Sequence, residues 1–360
     1  MVTTERKVNF SAGPAVLPVE VLEEARENLL SLGSSGVGVL EHSHRGKEFV
    51  AVLAEAESGC RELLGLGDDW AVLFLSGGAS SQFFMVPMNF LAGGGVANYL
   101  DTGVWSSKAI KEAHAFGQVH VAASGKAGKY TAIPTTADYK PGARYTHFTS
   151  NNTIYGTQWR SEPVVDSPLV CDASSDMLSR PIALDRYALI YAGAQKNLGP
   201  AGVTLVVARK DFIASGASNL PAMLQYRTHL EHESCYNTPP CFAIYVMALV
   251  FKWLKNQGGP VGIARYNEKK AAVLYDCLDS SAFWTTPAEK SSRSLMNVVW
   301  RLPSEELEAK FVSEASKAGF SGLKGHRNVG GIRASIYNAM PIEGVQGLVE
   351  FMKDFERRNG

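Results

Sequence analysis

The chain has 360 residues, 46% of them hydrophobic, and 35 basic residues balance 35 acidic ones. That length suggests about two domains with ample core. The neutral balance lacks the basic excess of a nucleic-acid binder, and no apolar run approaches the ~20 residues of a membrane span. The five cysteines (Cys60, Cys171, Cys235, Cys241 and Cys277) are scattered with no CxxC pair, which points to reduced thiols in the cytosol and away from a disulfide frame or a metal site. The opening MVTTERKVNFSAGP has charges but no apolar core behind them, so it is not read as a signal peptide.

In chain order, a Gly/Pro-punctuated arm, NFSAGPAVLP, precedes a helix expected over Val19–Leu32, where Val21, Leu22, Ala25, Leu29 and Leu30 recur near helical spacing. A glycine-rich loop follows, then SHRGKEF, with His44 and Arg45 at the entry to a helix over Glu48–Leu64. Ala71–Leu75 is a strand that runs through Ser76-Gly77-Gly78-Ala79-Ser80 into an apolar helix, Phe83–Leu91. Strand, small-residue turn and helix form an anion cradle, because free N–H groups and the helix dipole meet there. It is neither a Walker loop nor GxGxxG. Further strands are expected at Gly95–Asp101, Val119–Ala122, Tyr145–Thr149, Leu169–Asp172, Leu189–Ala192 and Val203–Ala208, with Trp105 opening a helix just past the first of these. Ser124–Arg144 reads as surface and Asp211–Leu230 as irregular. EHESCYNTPP is a polar loop before a helix over Cys241–Lys255, and Gly258-Gly259-Pro260 then breaks the chain. Beyond it lie a helix (Val261–Leu278), a strand (Met296–Leu302), a helix (Glu305–Ala318), a glycine-rich segment around His326 and Arg327, a strand-like run Ile332–Ile336 holding Arg333, and a closing helix, Ile342–Arg357.

Strand ends at Ser76, Asp101, Asn151, Asp172 and Gly193 each carry small or polar residues, and open α/β sheets bind ligands at the carboxyl ends of their strands. YAGAQKNLGPA, Tyr191–Ala201, is the most telling of them. A lysine among small residues at the end of a buried strand loses part of its charge preference to burial. It then suits attack on a carbonyl to give a Schiff base. Asp172 closes another short apolar run, and a carboxylate beside such a lysine is what a pyridoxal phosphate enzyme needs. Asp172 also has the position of a helix cap, with Ser174 and Ser175 after it.

YAGAQKNLGPAG, SHRGKEF, NFSAGPAVLP, TPPCFAIYVM, KGHRNVGGIRASIYNAMP and FERRNG together resemble the phosphoserine aminotransferases, within the class V, fold-type I pyridoxal phosphate enzymes. The resemblance runs over nearly the whole chain. It implies an α/β fold like that of aspartate aminotransferase: an arm at 1–15 associated with the small domain, a large mainly parallel-sheet domain at 16–258, and a smaller α/β domain at 259–360. It implies a cytoplasmic homodimer with sites at the interface, using pyridoxal 5′-phosphate. The reaction implied is transfer between 3-phosphohydroxypyruvate with L-glutamate and O-phospho-L-serine with 2-oxoglutarate; use of a phosphorylated threonine analogue in vitamin B6 synthesis is left open.

Residue by residue, the resemblance makes Lys196 the Schiff-base lysine and Asp172 the partner of the pyridine nitrogen. Trp105 stacks on the ring, and Thr153 contacts its phenolic oxygen. Ala79, Ser80 and Gln195 hold the cofactor phosphate, with Asn237 and Thr238 from the partner subunit. Arg333 clamps the substrate carboxylate, while His44, Arg45, His326 and Arg327 receive the substrate phosphate. Some family members carry arginine where this chain has Ser80. Rival readings are an alanine–glyoxylate-type transaminase, a cysteine desulfurase (for which only Cys235 is placed in a polar loop), and a catalytically inactive binding protein on the same scaffold.

Overall fold

A computed structural model describes residues 6–360; the first five residues of the expected arm lie outside it. Seven strands form one mixed sheet in the order Trp70–Leu75, Thr204–Arg209, Tyr187–Gly193, Leu169–Asp172, Thr146–Thr149, Val96–Asp101, Gln118–Ser124. Thr204–Arg209 runs antiparallel to both neighbours, and the remaining pairs are parallel. The central strands are buried along their whole length, as expected when helices cover both faces.

Alternation along the strands sorts their side chains into two cores. Val72, Phe74, Ile190 and Ala192 pack with the helices Lys47–Leu64 and Cys241–Asn256 on one face. Leu73, Leu75, Leu189 and Tyr191 pack with Phe83, Val86 and Tyr99 on the other. A third cluster gathers Ala271, Leu274, Trp300, Phe311, Ile332, Met352 and Phe355 from the C-terminal part of the chain, and Phe10 of the arm is buried within it.

The expected elements all appear, with shifted ends. The first helix stops at Glu27 instead of Leu32. Asn28 accounts for this: its Nδ2 donates to the Glu24 carbonyl at 2.9 Å and its Oδ1 accepts from Gly33 N at 2.8 Å, replacing the next helical turn. The helix expected from Phe83 begins at Gly78, so Ala79 and Ser80 belong to its first turn. Gly258-Gly259-Pro260 opens the helix Gly259–Asp279 directly, with proline in the first turn where its missing N–H costs nothing. Asp211–Leu230 contains part of two short helices, Lys210–Ala214 and Tyr226–Glu231. Among the described residues no helix is long and apolar enough to cross a membrane.

Candidate active site

The parallel strands bring Asp172, Gly193, Asp101 and Thr149 to one edge of the sheet, each at the end of its strand. Asp172 is 4% exposed. Its Oδ1 accepts from Ser174 N at 3.0 Å and from Ser174 Oγ at 2.6 Å; no helix follows Asp172, so the helix cap the sequence allowed is not formed, and both bonds close a turn on one oxygen. Burial raises the Asp172 carboxyl above the ordinary carboxylate range, and the charge of Lys196 and the Ser174 bonds pull against it.

Lys196 follows the Gly193 strand. Its Nζ donates to Thr153 Oγ1 at 2.7 Å and lies 5.4 Å from the centroid of the Trp105 ring. Burial lowers its ammonium to about 8, against the charge of Asp172, with Arg333 lowering it further. The arm closes over this lysine. Ala15 N donates to Gln195 O at 2.9 Å, Tyr337 Oη donates to Ala12 O at 2.7 Å, and a β-carbon at Gly13 would stand 3.4 Å from Lys196 Cγ.

Arg333 enters from the third core on the strand Ile332–Ser335. One guanidinium nitrogen donates to Thr153 O at 3.3 Å, and Nε is buried with no partner. Burial lowers the Arg333 guanidinium from its ordinary range. The loop holding His326 and Arg327 is tightened by bonds from Val329 N and Gly330 N to His326 O, both 2.9 Å. Gly331 sits at φ +69°, and a β-carbon there would come within 2.7 Å of Trp300 O, so only glycine fits. Burial lowers the His326 imidazole, as do the charges of Arg333, Arg327 and Lys108. Lys108 and Lys196 share the Trp105 ring and Arg333 and Lys196 share Thr153, so these three cations meet at one mouth, and the charge of Arg327 is felt there at His326. Among the described residues, none of Lys108, Lys196, Arg327 and Arg333 forms an ion pair with an acidic side chain.

Ala79 and Ser80 occupy the first turn of Gly78–Phe90, whose preceding residue, Gly77, sits at φ +97° and offers no side-chain cap. A β-carbon at Gly77 would lie 2.0 Å from Ser81 Oγ. The first turn of this helix therefore keeps N–H groups without a side-chain cap, the feature an anion cradle requires. Gln195 turns its amide toward Gly193.

Other residues are placed elsewhere. Asn237 and Thr238 are exposed in the loop before Cys241–Asn256, as is Arg45; the Arg45 charge acts on Cys235 in that same loop. No hydrogen bond among the described residues joins Asn237 or Thr238 to Lys196 or Asp172. His44 is half-buried, and its Nε2 is enclosed without a partner.

Two strand ends expected to carry chemistry hold the scaffold instead. Asp101 accepts from Ser106, Ser107, Ser124 and Tyr130 at 2.7–3.2 Å, fixing the helix that presents Trp105. Asn151 donates to Ser175 Oγ and Asn297 Oδ1, both 2.8 Å, and joins the sheet to the third core. The sequence reading missed Ser174, Asp176 and Lys108. Ser174 was legible only as one of several small residues. Asp176 is buried and bonded to Ser150 and Gln158, and no spacing betrays it. Lys108 had a signal, three residues after Trp105 on a helix.

A ring-shaped cofactor with an aldehyde and a phosphate fits these groups. The Trp105 Nε1 is buried without a partner, burial lowers the lysine ammonium to about 8, a buried carboxylate stands at the same sheet edge, and a helix N-terminus is uncapped.

The chain belongs to the class-V aminotransferases: the Aminotransferase class-V family matches residues 7–348. Within it, the chain belongs with the phosphoserine aminotransferases. The phosphoserine aminotransferase of Desulfosudis oleivorans is 52% identical over 360 residues, spanning 99% of this chain and 100% of that one. The solved phosphoserine aminotransferase of Bacillus circulans subsp. alkalophilus superposes with a TM-score of 0.97 at 49% identity, covering 99% and 100% of the two chains. The pyridoxal phosphate-bound enzyme of Trichomonas vaginalis does so with 0.93 at 36% identity, covering 97% and 100%.

Proposed function

We propose that the protein is a pyridoxal phosphate-dependent transaminase that interconverts 3-phosphohydroxypyruvate plus L-glutamate with O-phospho-L-serine plus 2-oxoglutarate. The observation that carries this reading is the set of cations without acidic partners around Lys196. A phosphomonoester carries about −1.5 to −2 charges at neutral pH and supplies the counter-charge that the mouth lacks. Arg333 has the fork geometry for a carboxylate, and its unpartnered Nε supports that role.

The cofactor, when bound, supplies an aldehyde for the migrating amino group and a cationic ring that accepts electrons from the substrate α-carbon. The chain's residues divide the rest of the work. Asp172 holds a negative charge in a buried place, keeping a ring nitrogen protonated. Trp105 offers a flat apolar face, and Thr153 presents a hydroxyl whose proton stays available while it accepts from Lys196. Ala79, Ser80 and Gln195 line the place for the cofactor phosphate. Lys196 Nζ, once its amine is free, takes the proton from the substrate α-carbon, a task suited to a base poised near the working pH. Arg333 orients the α-carboxylate, and His326 and Arg327 receive the phosphate.

We further propose that two copies complete each other's sites, with Asn237 and Thr238, and one of the His-Arg pairs, reaching across. Exposed Leu30 and Leu40, 87% and 61% accessible, lie near His44 and Arg45 in sequence and suit a covered face. We take 16–258 as the large domain, and 259–360 with the arm 1–15 as the small one. The free cysteines support a cytosolic setting.

The decisive test is a coupled assay offering O-phospho-L-serine, serine and alanine as amino donors to 2-oxoglutarate. Preference for the phosphorylated donor is expected; equal turnover of alanine would favour the alanine–glyoxylate type instead.

A further inference from the structure

Lys108 lies three residues after Trp105 on the helix Val104–Ala113, a spacing that puts both side chains on one face. Its Nζ stands 4.7 Å from the centroid of the Trp105 ring, the same ring that has Lys196 Nζ at 5.4 Å. The indole is thus shared by the central lysine and a second cation, as a cation–π contact allows. Lys108 is exposed and is one of the unpaired cations of the mouth. It reaches that mouth from the large-sheet side, while Arg327 and Arg333 come from the C-terminal part of the chain.

We infer that Lys108 is a specificity-determining residue that favours the phosphorylated substrate over glutamate. The inference rests on the substrate reading above. The two amino donors occupy the same site in turn, so a contact common to both cannot discriminate between them. Their side chains differ in charge, −1 for the carboxylate against about −1.5 to −2 for the phosphate. Coulombic attraction scales with that charge, and salt screens it when the cation is exposed. A solvated lysine at the rim therefore adds most to the dianion and loses most in high salt. Trp105 keeps the Lys108 ammonium over its ring, so the charge is held at the rim at little cost in side-chain freedom.

The test uses the holoenzyme and the variants Lys108→Gln and Lys108→Arg, with O-phospho-L-serine and glutamate as separate amino donors. Lys108→Gln should raise KM for phosphoserine about fivefold and KM for glutamate by less than about twofold, leaving kcat nearly unchanged. Lys108→Arg should restore the wild-type ratio, and about 0.5 M salt should narrow the gap between wild type and Lys108→Gln. The absorbance band of the bound cofactor should be the same in all three proteins. Equal KM changes for both donors, a loss confined to kcat, failure of arginine to rescue, or a shifted band would overturn the inference. Wild type that does not turn over phosphoserine would defeat the substrate reading and this inference with it. Wild type that does, with Lys108→Gln indistinguishable from it, defeats the inference alone.

Discussion

Arg333 donates to the backbone carbonyl of Thr153 at 3.3 Å, and that same threonine's hydroxyl accepts from Lys196 at 2.7 Å. One residue at the sheet edge thus registers a guanidinium from the C-terminal core against an amine from the large sheet. Any shift between the two cores moves the Arg333 guanidinium, the proposed carboxylate clamp, relative to the Lys196 amine, the proposed base.

Lys196→Ala removes the amine and should lower transamination by roughly a thousandfold or more. The fold should persist, because the released Thr153 hydroxyl can turn to other partners. Borohydride reduction followed by mass measurement should fix cofactor to the wild type and not to this variant. Fixation at an unchanged level would place the attachment elsewhere.

Capture of the cofactor by apoprotein should depend on the neutral amine. With the Lys196 ammonium lowered to about 8, the rate should rise through neutral pH and level off above that value. Asp172 acts to raise the lysine's pKa, so Asp172→Asn should move the midpoint to lower pH while reducing kcat by about a hundredfold. Stopped-flow absorbance across pH 6–10 reads both effects. A midpoint that stays put would mean the two groups do not sense each other.

Arg333→Ala should raise KM for phosphoserine and for glutamate together, by about a hundredfold, since both carry the α-carboxylate. Arg333→Lys should recover only part of this, because an ammonium cannot reproduce the bidentate fork. Steady-state kinetics with both donors decide it, and a change confined to one donor would reassign Arg333 to side-chain recognition.

His147 lies beneath the site, 1% exposed, stacked on Tyr99 at 4.9 Å with Nε2 2.8 Å from Tyr191 Oη. Burial lowers its imidazole from 6.5 to about 3. Between those values the unfolded chain binds the proton that the folded chain refuses. The contribution of His147 is therefore full above pH 6.5 and is lost as pH falls toward 3. His147→Gln should flatten the decline of the urea midpoint between pH 7 and 4.5, even if it lowers stability at neutrality. An equally steep decline would assign acid sensitivity to other groups.

Strand positions were legible because their apolar runs are short and bounded by small residues; Leu169–Asp172 is found as expected. Lys196 and Asp172 were legible for the same reason, as polar groups closing such runs. Which strand-end carboxylates are tied up by the scaffold was not. Asp101 and Asp172 look alike in sequence, yet four hydroxyl donors occupy the first, while the second keeps one oxygen clear of Ser174. That distinction depends on Ser124 and Tyr130, which reach Asp101 only after folding. Lys108 escaped notice because a lysine on an exposed helix ordinarily means solvation, and its relation to His326 spans the two halves of the fold.

The described part of the arm lies over Lys196 and meets Gln195 and Tyr337 through its backbone. Its contacts act as a lining, so trimming the chain through Ala15 should admit solvent to the amine and slow turnover although every reactive side chain survives. Affinity handles and fusions are accordingly better placed away from this arm.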